Sequence, residues 1–256
     1  MKGGVFESVS ADEPQKVDTS TLSWRLRLAK RELYMKAVFL RSFLRSRLSR
    51  RPLVFVLGDS HVGIFLKRKP FLVHWFGPAT AYNLKSPDST TKSGRRLSGI
   101  MKYLVRPDDK VLMVFGEIDC RVHIYNQWVI GKGSVTLEDV IEETVASYGA
   151  VLDRLYRRCV DFYVASAPPA AREGNVYGVP NYPPEEARGI INRVFNEKLS
   201  EYCGRRGYRF IDVYSRVADD EGFIREEYSC DDGTHLKNEA VAFFEEGLGL
   251  GNRGGT

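Results

Sequence analysis

The chain has little cysteine and no long apolar run. Its four cysteines lie far apart among 256 residues and form no Cys-x-x-Cys pair, a pattern typical of reduced thiols rather than of a disulfide framework. No run approaches the roughly 18 apolar residues of a membrane-spanning helix. The polar, acidic start of the chain shows no secretory signal pattern. We therefore expect a cytoplasmic protein, with attachment to the periphery of a membrane left open.

Repeats, low-complexity tracts and metal-binding motifs are also missing. A zinc site could be imagined from Cys120, His123, Cys230 and His235, but their spacing is not that of a zinc motif. These four residues therefore do not predict a zinc site.

The positive charge is confined to one segment. Residues 21–51 hold ten Lys/Arg and a single acid, whereas residues 52–256 carry a net charge of −2. A nucleic-acid-binding domain concentrates basic residues on its own surface. The composition therefore argues against nucleic acid as a partner of the main domain.

Three segments follow from these patterns. Residues 1–20 are predicted to be disordered, and residues 51–250 to form the main domain. Residues 21–50 are predicted to form a basic amphipathic helix, because leucines and alanines recur there in steps of three and four. Such a helix can lie on an anionic membrane, associate with a second copy, or dock on its own domain.

From Arg51 onward, apolar runs alternate with helical patterns, which predicts a mainly parallel, doubly wound α/β sheet. Five strands are predicted: Leu53–Leu57, Phe71–Phe76, Lys110–Phe115, Val160–Ala165 and Tyr208–Val213. Residues 121–135, with Tyr125 and Trp128, are interpreted as an irregular insertion. The proline-rich residues 168–184, with Tyr177 and Tyr182, are interpreted as a lid loop.

Ser60 is the first candidate for chemistry. It follows the first predicted strand in the tetrapeptide Gly58-Asp59-Ser60-His61, and ligands of open α/β sheets bind at the carboxyl ends of strands. A helix beginning after it would aim its first N–H groups at whatever Ser60 attacks. The alternative is that Asp59 and Ser60 only cap that helix.

The second candidate is the segment Asp232-Gly233-Thr234-His235 near the end of the chain. A carboxylate three residues before a histidine, across a turn, can hold the imidazole in one tautomer and leave Nε2 free to accept a proton. A serine hydroxyl needs such a base to act as a nucleophile. The spacing favours Asp232 over Asp231.

With these residues in order, the chain resembles the SGNH/GDSL hydrolase superfamily over residues 52–248. Gly58-Asp59-Ser60 fits the nucleophile block, Gly77 the oxyanion-hole glycine, Gly116-Glu117-Ile118-Asp119 the third block, and Asp232-Gly233-Thr234-His235 the last. The resemblance implies a three-layer α/β/α, flavodoxin-like fold. It also implies catalysis by Ser60, His235 and Asp232 without a cofactor, on esters or by acyl transfer.

The third block departs from the family pattern. The family has an asparagine that helps to bind the oxyanion where this chain has Ile118, which cannot donate a hydrogen bond. The nearby guanidinium of Arg121 could join the Ser60 and Gly77 N–H groups as the missing donor. An ion pair with Glu117 or Asp119 is the alternative for Arg121.

Two functions are compatible with these residues. The first is a serine esterase or acyltransferase acting on small-molecule or carbohydrate acyl esters, with acetylated carbohydrates as one substrate class. The second is a non-catalytic binding or scaffolding module attached through its basic helix. Ile118 favours the module, whereas the set of Ser60, Asp232 and His235 favours the enzyme.

Overall fold

A computed structural model describes residues 22–48, 51–86, 89, 91–132, 134–156, 161–172, 181–230 and 234–250. Its centre is one parallel sheet of five strands in the order β2-β1-β3-β4-β5. The strands are β1 (Val54–Gly58), β2 (Phe71–Trp75), β3 (Lys110–Val114), β4 (Asp161–Ala165) and β5 (Arg209–Ile211). The five predicted strands are confirmed. The central strands β1 and β3 are buried at nearly every position, as expected of parallel strands covered on both faces, whereas Arg209 of β5 is exposed.

Seven helices accompany the sheet in the described part of the chain. They are α1 (Leu22–Leu48), α2 (Ser93–Tyr103), α3 (Ile124–Ile130), α4 (Leu137–Tyr156), α5 (Glu185–Arg206), α6 (Tyr214–Val217) and α7 (Val241–Gly247). The start of α4 is a capping box, in which Thr136 Oγ1 accepts from the Asp139 N–H at 3.1 Å and Asp139 Oδ2 accepts from the Thr136 N–H at 2.8 Å.

Alternate residues of β1 enter two different hydrophobic cores. Phe55 and Leu57 face the core that contains side chains of α2, α4 and α5, whereas Val54 and Val56 face the core that contains Phe244 of α7. A sheet with a packed layer on each side is the three-layer α/β/α arrangement, and the strand order is that of flavodoxin-like folds. The predicted fold class is confirmed.

The prediction for residues 121–135 is wrong. A π-helical turn, Asp119–His123, leads directly into α3, so most of this segment is helical rather than irregular. Cys120 and Ile124, four residues apart, are fully buried, and they fix the helical face that turns inward.

Helix α1 packs along the edge strand β2. Phe39 lies edge-on to His74 with ring centroids 5.2 Å apart, and Met35 contacts the opposite core. Near the end of the helix, Arg47 Nη1 donates to Asp109 Oδ1 at 3.1 Å. The described part of α1 therefore docks on its own domain, which was one of the three alternatives for this segment. Residues 1–20 lie outside the described residues.

Candidate active site

Ser60 lies at the carboxyl end of β1 because a glycine lets two strands approach each other there. A Cβ on Gly58 would lie 2.0 Å from the Val114 carbonyl oxygen of β3, so only glycine fits. Residues Ser60–Phe65 then form a short 3₁₀-helix, and Asp59 caps it by accepting from the His61 N–H. The helix predicted after Ser60 is therefore a short 3₁₀-helix rather than an α-helix.

The structure brings Ser60 and His235 together. His235 Nε2 lies 2.8 Å from Ser60 Oγ, although 175 positions separate the two residues. Both side chains are half-buried. A hydroxyl in hydrogen-bond contact with an imidazole is the pair that nucleophilic catalysis by serine requires.

Backbone hydrogen bonds hold the loop that carries His235. The Cys230 N–H donates to the His235 carbonyl at 2.9 Å, and the Lys237 N–H donates to the Tyr228 carbonyl at 2.8 Å. Asp231, Asp232 and Gly233 lie outside the described residues. The role of Asp232 as the carboxylate that orients His235 therefore stays a prediction.

His61 is a functional candidate that the sequence analysis did not assign. Its Nδ1 lies 3.1 Å from Asp59 Oδ1, its Nε2 lies 3.1 Å from the Thr234 carbonyl, and its ring stacks on that of His235 with centroids 4.8 Å apart. His61 thus ties the Ser60 turn to the His235 loop. The signal available in the sequence was an ionisable residue directly after the candidate nucleophile Ser60.

The surroundings of His61 keep it protonated. Burial alone would lower the pKa of the imidazole, but the hydrogen bond and charge of Asp59, the charge of Glu117 and the Thr234 carbonyl raise it to about 9. Glu117 Oε2 is 3.9 Å from His61 Nδ1. Both carboxylates thus approach the same ring nitrogen, Nδ1, and favour the charged imidazolium form of His61 at neutral pH.

Asp119 holds the loop that follows Gly77. Its Oδ2 accepts from the Ala81 N–H at 2.6 Å, and its Oδ1 accepts from the Tyr82 N–H at 3.0 Å. Gly77 itself has φ +76°, a conformation that favours glycine. Burial, opposed by these hydrogen bonds and assisted by the charge of Asp59, raises the pKa of Asp119 to about 7.

Arg121 lies beside Glu117. Its Nε donates to Glu117 Oε1, and its Nη2 donates to Glu117 Oε2 at 3.3 Å. This is the ion pair that the sequence analysis gave as the alternative to an oxyanion role. Ile118, which follows Glu117 in the sequence, is half-buried. The role of Arg121 as an oxyanion donor stays a prediction.

Within the described residues, no group of three His, Cys, Asp or Glu side chains is arranged to hold a metal ion. None of the described helices is long and apolar enough to cross a membrane.

Comparison with known structures finds the same fold in proteins described as a lipase and an acylhydrolase. A GDSL-like lipase from Bacteroides thetaiotaomicron aligns with a TM-score of 0.52 at 15% identity, over 83% of this chain and 95% of its own. A proposed acylhydrolase from Bacteroides fragilis aligns with a TM-score of 0.50 at 16% identity, over 77% of this chain and 84% of its own. The chain has the SGNH/GDSL hydrolase fold.

Sequence comparison adds nothing to this assignment, since no family model and no curated protein matches the chain. An acetylxylan esterase from Geobacillus stearothermophilus aligns at 13% identity with a TM-score of only 0.45, over 77% of this chain and 94% of its own. That likeness is too low to bear on the substrate. At such identities the GDSL-type fold is what the likeness shows, and the chemistry must be argued from the site.

Proposed function

We propose that this GDSL-type protein is a serine hydrolase that cleaves or transfers O-acyl groups through an acyl-enzyme. The observation that carries the proposal is the 2.8 Å contact between Ser60 Oγ and His235 Nε2. At that distance the imidazole can take the hydroxyl proton as the oxygen attacks.

The reaction has two half-steps. Ser60 Oγ forms a bond to the acyl carbonyl carbon while its proton passes to His235 Nε2. The tetrahedral intermediate collapses, the ester C–O bond breaks, and His235 gives the proton to the leaving alcohol. Water or an acceptor alcohol then repeats the sequence on the acyl-enzyme, with His235 again as the base.

We assign the oxyanion to the backbone N–H groups of Ser60 and Gly77. Donors fixed before the reaction stabilise the developing charge without reorganisation. Asp119 supports this arrangement, because its two hydrogen bonds hold residues 81 and 82, just beyond Gly77. Arg121 gives two of its five N–H groups to Glu117, so a third oxyanion donor would have to come from the remaining ones.

Acetylated carbohydrates are the narrower proposal for the substrate. Sugar rings stack on exposed aromatic side chains, but Tyr125 and Trp128 pack against the core. Among the described residues, Tyr182 is the remaining aromatic that the sequence analysis named, and Tyr177 lies outside them. Hydrolysis rates on a panel of aryl acetates, longer aryl acyl esters and acetylated sugars would define the substrate class.

A non-catalytic module is the second candidate, and two observations favour it. Ile118 cannot donate to an oxyanion, and the Arg121 guanidinium is bound to Glu117. Such a module would keep the fold and bind an ester-bearing partner without turning it over. A fluorophosphonate probe separates the two candidates, since only an activated serine reacts with it.

The decisive variant is Ser60→Ala. We expect it to lower hydrolysis of a short aryl ester by roughly 10³-fold or more with an unchanged melting temperature. Mass spectrometry of the wild-type protein should find the fluorophosphonate on Ser60.

Ser229→Ala is the matched control, because Ser229 is a half-buried serine in the loop that carries His235. It should keep both activity and labelling. Labelling of another serine, or full activity in Ser60→Ala, would reject the proposed nucleophile. No labelling of correctly folded wild-type protein would favour the non-catalytic module.

A further inference from the structure

Helix α1 has two apolar faces, and the residues that the structure describes cover one of them. Phe39 and Phe43 pack against one core and Met35 against the other. Four leucines point away from these contacts: Leu33, Leu40, Leu44 and Leu48 are 69%, 55%, 51% and 85% exposed. Steps of seven and four residues place them on one line, which we call the leucine stripe. Aligned exposed leucines form a contiguous patch, unlike single apolar residues scattered over a surface.

Exposed basic residues border the leucine stripe on both sides. At about 100° per residue, Lys36 lies on one side of the stripe, and Lys30, Arg41 and Arg45 lie on the other. No acidic residue occurs from residue 33 to residue 48. The solvent-facing side of α1 is therefore an apolar line between two basic margins.

We propose that α1 binds the surface of a bilayer containing anionic lipids, with the leucine stripe at the boundary of the acyl chains. Helices that lie in a membrane interface combine an apolar face with lysines and arginines that contact lipid phosphates. Residues 21–51 hold ten Lys/Arg against one acid, so this segment complements an anionic surface.

A second copy of the chain is a poorer occupant for the same reason. Two α1 helices paired through their leucine stripes would bring the basic margins together. Paired helices normally place opposite charges beside their apolar seam, and this stretch offers only Glu32. Like charges at that position oppose association, whereas anionic lipid headgroups neutralise them.

The test is co-sedimentation of the full chain with lipid vesicles. At low salt we expect binding to vesicles in which about one third of the lipid is phosphatidylserine, little binding to pure phosphatidylcholine, and release as salt is added. The double variant Leu40→Ser/Leu44→Ser should weaken binding by about tenfold or more. Its melting temperature should be unchanged, because both side chains face solvent.

Ile130→Ser/Ile190→Ser is the matched control for the leucine variant. It removes two apolar side chains that are 59% and 44% exposed on other helices, and it should bind like the wild type. Arg41→Gln/Arg45→Gln tests the charge and should weaken binding to the anionic vesicles by about tenfold. Its control is Lys67→Gln/Arg68→Gln, two exposed basic residues outside α1.

Three results would overturn the proposal. The first is no binding to anionic vesicles at low salt. The second is binding that survives loss of Leu40 and Leu44. The third is a dimer in light scattering that the leucine variant abolishes while vesicle binding is absent, since the stripe would then be covered by a second copy. None of these measurements depends on ester hydrolysis, so the proposed function can fail or hold independently.

Discussion

The two ends of the sheet bury carboxylates in opposite ways. At the amino end, Asp109 is fully buried, and four groups donate to it. They are two nitrogens of Arg47 and the backbone N–H groups of Leu53 and Arg106. This carboxylate has its charge neutralised and both oxygens occupied, so it acts as a structural clamp between α1 and the sheet.

At the carboxyl end, the carboxylates exceed their partners. Asp59, Glu117 and Asp119 are all buried, while the cations beside them are His61 and the guanidinium of Arg121. Asp59 Oδ2 is buried without a hydrogen-bond partner among the described residues. The pKa of Asp119 rises to about 7 and that of His61 to about 9.

The unequal pairing of buried charge favours the carboxyl end as the reactive end that we propose. A fully paired buried charge stabilises a fold but performs no chemistry. Buried acids that outnumber the cations beside them, among them Asp119 with its raised pKa, cost stability, and such clusters concentrate at functional sites. The Ser60–His235 contact lies at the same end of the sheet, although neither residue was used to define the imbalance.

The largest expected effect comes from breaking the clamp at the amino end. Arg47→Ala leaves Asp109 buried without its cation, which should cost about 3–5 kcal/mol of folding free energy. For a domain of this size that lowers the melting temperature by roughly 6–20 °C. Thermal melts with and without the substitution measure it.

Below its melting temperature the Arg47→Ala variant should keep the wild-type rate of ester hydrolysis and the wild-type labelling of Ser60. Arg45→Ala is the matched control, because Arg45 is an exposed arginine of the same helix. A large loss of activity in folded Arg47→Ala would contradict the assignment of a structural role to the amino end of the sheet and a reactive role to the carboxyl end.

The second prediction concerns His61 and pH. Its pKa in the folded protein, about 9, lies above the value of about 6.5 expected for an unfolded chain. The folded state therefore holds this proton more tightly. The stabilisation is fully present below pH 6.5 and is lost as the pH rises through 9, and it amounts to on the order of 3 kcal/mol.

Denaturant unfolding between pH 7 and pH 10 should show this loss in the wild type and a flatter profile in His61→Gln. Asp119 also titrates with a raised pKa of about 7, so its change is half complete at pH 7 and nearly complete at about pH 8. This carboxylate is present in both proteins. Equal slopes for the two proteins would show that His61 is neutral in the fold and that the reactive end holds less charge than we infer.

Much of the fold could be predicted because buried parallel strands leave an unmistakable pattern. Val54–Gly58 and Lys110–Val114 are buried at nearly every position, so their sequences are continuous apolar runs bounded by turns. Helix α3 was missed for a related reason. Cys120 of the π-helical turn and Ile124 at the start of α3 follow a helical step, but the aromatic residues around them obscured that period.

The candidate site could be predicted only for residues whose chemical type occurs in a recognisable local motif. Ser60 and His235 stand in short motifs beside a strand and a turn, so their types and places could be recognised. The role of His61 depends on contacts with Glu117 and Thr234, which are distant in sequence. No single-sequence pattern encodes such contacts, because they arise when separate loops meet at the sheet edge.

The smallest predicted effect comes from Arg121→Ala, and it decides what replaces the oxyanion donor missing at Ile118. In the structure the guanidinium is bound to Glu117. Removing it would leave the buried Glu117 carboxylate with His61, 3.9 Å away, as its one cation among the described residues. We therefore expect a loss of about 1–3 kcal/mol of stability and a kcat close to that of the wild type below the melting temperature.

An oxyanion role for Arg121 predicts a different result. An Arg121 that turns toward the oxyanion would stabilise the transition state more than the bound ester, so its loss would lower kcat by roughly 10²-fold with little change in melting temperature. Glu117→Gln sharpens the distinction, because it weakens the ion pair but leaves the guanidinium in place. If Arg121 serves structure, both variants should melt earlier and remain active. If it serves the oxyanion, only Arg121→Ala should lose activity. The Arg121 cation would then act in the reaction rather than neutralise the buried charge of Glu117.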